Sequence, residues 1–107
     1  MKLETINEGS TLSLSVKFLS EAGTPINPHR VFWKVEDLMS GTIVKDWTEI
    51  TKPSSTMYLT IGPDICSILD QTNSSEVKRI TIKAEFGLNA VVVQEKDIIV
   101  QNLGGNP

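Results

Sequence analysis

One cysteine and one histidine are all the thiol and imidazole chemistry this chain contains. A single Cys cannot form an intrachain disulfide, and one Cys with one His argues against a zinc site. Aromatic residues are sparse, at 6% of the sequence. Long apolar runs are missing as well. The stretch Ala90-Val91-Val92-Val93 is far short of the roughly 20 residues a membrane-spanning helix requires. Basic residues do not cluster beyond the pair Lys78-Arg79, and the net charge is −3. That balance is a poor match for phosphate backbones, so neither a nucleic-acid nor a membrane partner is expected. The start, Met1-Lys2-Leu3-Glu4, lacks a basic segment followed by an apolar run. No secretory signal is expected from it, and folding in a cytosol is.

The parts needed for catalysis are also scarce. His29 lies between Pro28 and Arg30 in a loop and reads as an exposed turn residue. Cys66 lies between Ile65 and Ile68 with no accompanying base. It reads as a buried small hydrophobe or a half-exposed thiol rather than a nucleophile. The carboxylates do not form a D-x-D-x-D-G run, and neither GxxxxGK[ST] nor GxGxxG occurs. No catalytic, cofactor-binding or metal-binding residue is therefore assigned. The expectation is a protein that binds rather than an enzyme.

What the chain does have is a period of two. Leu12, Leu14, Val16 and Phe18 alternate with Ser13, Ser15 and Lys17, the pattern of a strand with one buried face. Val31, Trp33 and Val35 alternate with Phe32, Lys34 and Glu36 over Arg30 to Glu36. Trp33 is the expected core anchor there. Strands are also expected over Leu3 to Ile6, Thr42 to Trp47, Thr56 to Ile61, Val77 to Phe86 and Val91 to Val100. The last loses its alternation near Gln94-Glu95-Lys96, which suggests a bulge. Pro63 and the spacing of Ile65, Ile68 and Leu69 predict a short helix over Pro63 to Leu69. Turn residues such as Gly23, Pro25, Pro28, Gly41, Pro53 and Gly87 separate these segments. The pattern fits an all-β domain: an immunoglobulin-like antiparallel β-sandwich of about seven strands with one short helix, with a small barrel as the alternative. It would span residues 1–102, with 103–107 a flexible tail. Phe32, opposite Trp33, and Trp47, at a strand end, are the best candidates for a partner surface. Leu3 and Ile6 join them, because Met1–Ile6 could add a strand to a neighbour's sheet edge.

The stretch from Leu12 to Trp47 carries a resemblance. It contains Gly23-Thr24-Pro25-Ile26-Asn27-Pro28, then Val31-Phe32-Trp33-Lys34-Val35, then Gly41-Thr42-Ile43-Val44-Lys45-Asp46-Trp47. Together with Asn73 to Ala84, it resembles small immunoglobulin-like structural proteins of tailed bacteriophages. The resemblance implies a virion component made in the host cytoplasm, without catalytic residues or cofactors. A head decoration or cement protein on the major capsid protein is the leading expectation, and self-association is open. The alternatives are a neck or tail component, or a carbohydrate- or cell-surface-binding module.

Overall fold

A computed structural model describes residues 4–87 and 90–104. Seven strands run in order: β1 Glu4–Asn7, β2 Leu12–Lys17, β3 Arg30–Asp37, β4 Ile43–Glu49, β5 Thr56–Ile61, β6 Ser75–Glu85 and β7 Val91–Gln101. They form two sheets. One has five strands in the order β1-β7-β6-β3-β4, and the other has two, β2-β5. Every neighbouring pair is antiparallel except β1 and β7, which are parallel.

The alternation in sequence becomes the alternation of faces. Leu12, Leu14 and Val16 on β2 sit opposite Ile61, Leu59 and Met57 on β5, and all six are buried. They pack on Val31, Trp33 and Val35 of β3 and on Ile80, Ile82 and Ala84 of β6. Trp33 is in the core as expected, with the Lys45 ammonium 5.1 Å from its ring centroid. Phe18 and Phe86 meet edge to face, 5.5 Å between centroids, and close one end between the sheets. At the β3–β4 turn the Gly41 amide donates to the Asp37 carbonyl (2.8 Å), and Gly41 takes φ 75°, a conformation glycine adopts without penalty.

Two local expectations are corrected. Residues 63–69 do not form a helix. The Gly62 carbonyl accepts from the amides of Ile65 (3.1 Å) and Cys66 (3.0 Å), and there the helical pattern stops. The Cys66 carbonyl accepts instead from Gly9 (2.8 Å), and the amides of Leu69 and Asp70 donate to the Glu76 carboxylate. One turn gains too little to nucleate a helix when outside partners claim its backbone groups. The apolar spacing at Ile65 and Ile68 serves to plug the end of the sandwich, where both are buried with Cys66.

The second correction concerns β7, which has no bulge. Its register on β6 is continuous from Ser75↔Gln101 to Glu85↔Val91. The alternation fades because Val91 to Lys96 are exposed on both faces, while Ile98 and Val100 are fully buried. The register irregularities lie between β3 and β4 instead. The expected turn at Gly87-Leu88-Asn89 and the tail at 103–107 fall partly outside the described residues. Within the tail, the Leu103 amide donates to the Glu8 carboxylate at 2.8 Å.

This burial pattern sets the expected response to truncation. Ile80→Ala should cost about 2–5 kcal/mol, because a fully buried β6 side chain leaves a cavity. Val91→Ala, at a position 51% exposed, should stay within about 0.5 kcal/mol. Urea unfolding with a shifted midpoint and unchanged slope would verify the first value.

Candidate interaction surface

The outer face of the five-stranded sheet brings Phe32 and Trp47 together. Strand β3 turns Val31, Trp33 and Val35 inward, so Arg30, Phe32, Lys34 and Glu36 point out. Phe32 pairs with Glu49 on β4, which places Trp47, two residues earlier, on the same side. Phe32, Trp47, Lys83 and Glu85 line a shallow concavity of about 300 Å³. Trp47 is 44% exposed and Phe32 is half-buried.

Cations cover both rings. The Arg30 guanidinium lies 4.8 Å from the Phe32 centroid, and the Lys34 ammonium lies 5.1 Å from that of Trp47. Arg30 also grips Glu49 through two hydrogen bonds of 3.0 and 2.9 Å. That paired hydrogen bonding raises the Arg30 pKa and lowers that of Glu49. Both groups are close to half exposed, so the pair orients the guanidinium over Phe32 more than it adds stability. The result is a patch with two aromatic rings at its centre and charged side chains ordered around them.

The other two proposed contact residues are elsewhere. Ile6 pairs with Val100 at the opposite edge of the sheet and is half-buried against the core. Residues 4–7 are thus a strand of their own sheet. Leu3 lies outside the described residues. His29 is exposed, and its amide donates to the Glu85 carbonyl at 2.6 Å. Cys66 is fully buried, and burial pushes its thiol pKa up, away from a reactive thiolate.

Sequence reasoning overlooked a buried ionic cluster. Lys78 belongs to no basic surface pair: its side chain is 0% exposed, and only Arg79 points outward. The Lys78 Nζ lies 2.9 Å from Glu76 Oε1 and 3.3 Å from Asp37 Oδ1, and both carboxylates are 1% exposed. Their remaining oxygen valences are filled. Asp37 Oδ2 accepts from the Ser40 amide (3.0 Å) and hydroxyl (2.7 Å). Glu76 accepts from the amides of Leu69 (2.8 Å) and Asp70 (3.0 Å) and from Asn73 Nδ2 (2.9 Å). Burial pushes the Glu76 pKa up, but these donors and Lys78 outweigh it and bring it down to about 2. The signal was present in the strand phase. Glu76 and Lys78 share the parity of Ile80 and Ile82, and Asp37 shares that of Val31 and Val35.

A surface concavity of about 390 Å³ lies over this cluster, lined among others by Met39, Thr42, Leu69 and Asp70. Among the described residues, no group of three or more His, Cys, Asp or Glu is arranged to hold a metal ion. With this geometry in hand, comparison with known proteins found no match among family models, curated proteins or solved structures.

The ionic cluster makes two measurements informative. Lys78→Met leaves two buried carboxylates without their cation and should cost roughly 3–5 kcal/mol in urea unfolding. The Glu76 carboxyl is ordinary, near 4.5, when unfolded and about 2 when folded. Its stabilising effect is complete above the unfolded value and is lost as pH falls through that window, a loss on the order of 3 kcal/mol. Glu76→Gln should flatten this acid limb of the stability profile.

Proposed function

We propose that the chain is a non-enzymatic virion structural protein of immunoglobulin-like type, most concretely a capsid decoration protein that works by surface complementarity. The strand order supports the immunoglobulin-like part. The row β7-β6-β3-β4 opposite β2-β5 corresponds to the G-F-C-C′ and B-E strands of such a domain. Trp33 occupies the core position on the third strand. The observation that carries a binding role is the outward patch of Phe32 and Trp47 with ordered cations over both rings. The virion assignment rests on the sequence resemblance.

On this reading, the patch seats the domain on the major capsid protein or another virion protein. Repetition of that contact over a lattice turns a weak single interaction into stable decoration. A neck or tail position uses the same surface at far lower copy number. A carbohydrate-binding role is less favoured, because Lys34 already occupies one face of Trp47, the more exposed ring.

The test is decoration of purified phage shells by the isolated protein. Phe32→Ala combined with Trp47→Ala should reduce bound protein by at least about tenfold, since each anchor of this kind is worth roughly 2 kcal/mol. The urea midpoint of the Trp47→Ala single variant should barely move. Hundreds of copies per particle fit decoration. A handful would move the protein to the neck or tail, and no binding to shells, alongside binding on a glycan array, would overturn the reading.

A further inference from the structure

The buried ion cluster holds the components of an amide bond as well as those of a salt bridge. An amine condenses with a carboxyl group when the two are held in contact, water is kept out, a proton carrier is near and the carbonyl oxygen is cradled by donors. Lys78 and Asp37 are direct partners in the β3–β6 ladder, so the backbone register itself holds amine and carboxyl together. Lys78 Nζ lies 3.3 Å from Asp37 Oδ1 and 2.9 Å from Glu76 Oε1, and all three side chains are 0 or 1% exposed.

The two carboxylates are not equivalent. Glu76 Oε1 accepts from the Leu69 amide and Lys78, and Oε2 accepts from the Asp70 amide and Asn73 Nδ2. Both of its oxygens are thus held in place. Asp37 is divided. Its Oδ2 accepts from the Ser40 amide (3.0 Å) and hydroxyl (2.7 Å), whereas Oδ1 accepts from Lys78 alone among the described residues. One oxygen sits in a two-donor cradle of the kind that stabilises a tetrahedral intermediate, and the other is free to leave. The concavity over the cluster is lined by Asp37, Ser40 and Glu76 and gives a departing water its exit.

We propose that Lys78 and Asp37 condense within the folded chain into an isopeptide bond that ties β3 to β6, the ion cluster being the unreacted state. Lys78 first passes a proton to Asp37 Oδ1, leaving a neutral amine and a neutral acid, the forms that burial favours. The Nζ lone pair bonds to Cγ, and the carbonyl electron pair moves onto Oδ2, where Ser40 holds it. Glu76 Oε1 takes one proton from the nitrogen and delivers it to Oδ1. The carbonyl re-forms, the Cγ–Oδ1 bond breaks and that oxygen leaves as water. One ammonium and one carboxylate become one amide and one water, with nothing oxidised or reduced. Loss of the ammonium also removes one of the groups that keep the Glu76 pKa low, which makes this carboxylate a better proton carrier during the step. The inference stands apart from the virion reading, since it needs no partner and uses the other end of β3.

Intact mass spectrometry of the folded chain tests it. The wild type should weigh less than its sequence by one water. A tryptic digest should contain a branched peptide in which Lys78 is uncut and joined to Asp37. Asp37→Ala should keep its full sequence mass. Ser40→Ala, at an exposed turn position, keeps the cradling amide but loses the hydroxyl, and should slow the mass loss at least about tenfold. Glu76→Gln, which cannot carry the proton, should slow it at least as much. A folded wild type that retains its full sequence mass after days at neutral pH, a bond to Glu76 in place of Asp37, or an unchanged rate in both Ser40→Ala and Glu76→Gln would overturn the proposal.

Discussion

The Lys78 ammonium has no route to water, and much of one end of the molecule is arranged around that fact. A buried cation is tolerable only if counter-charge and acceptors surround it. Asp37 arrives from the end of β3 and Glu76 from the start of β6. Each carboxylate then uses its spare oxygens to hold a turn. Asp37 organises the β3–β4 connection through Ser40, and Glu76 gathers Leu69, Asp70 and Asn73. One ion cluster thereby fixes the β3–β6 register at its far end, the hairpin into β4 and the path of the chain into β6. It also denies the 63–69 segment the carbonyl-to-amide bonds of a helix.

That hairpin positions the aromatic patch. Trp47 reaches the face of Phe32 because β4 returns antiparallel along β3 with Glu49 opposite Phe32. The Arg30–Glu49 pair, bridging the same two strands, then sets a guanidinium over Phe32. The ion cluster at one end of β3 and the aromatic patch toward its other end are thus joined through a single strand. The imbalance between five strands and two has a second effect. The small sheet and the 62–68 turn cover the core-facing side of β7 only at Ile98 and Val100, which leaves its first half bare.

Most strand positions and the identity of the core were legible in the residues. Alternation placed Leu12, Trp33, Ile80 and their neighbours correctly, because a half-buried strand imposes period two directly. Ile65 and Ile68 misled for a physical reason. Helical spacing states which side chains seek the interior, but it does not say whether the backbone bonds to itself or to Gly9 and Glu76. Val91 to Lys96 misled in the opposite way, since lost alternation meant lost cover rather than a bulge. Of the candidate contacts, Phe32 and Trp47 come together, while Ile6 sits at the far edge of the sheet.

By itself, the sequence determined the all-β class, the inward faces and the scarcity of reactive groups, all of which follow from local pattern and composition. Only the tertiary structure decided how distant residues meet. Lys78 reads as half of a basic pair until Asp37, 41 positions away, shares its cavity. Phe32 and Trp47 read as isolated aromatics until the β3–β4 register places them on one face. β1, Glu4–Asn7, comes to lie beside Ile98 to Gln101 from far along the chain, a pairing that only the fold brings about. Pairings of this kind depend on chain closure over long separations, which no local pattern encodes.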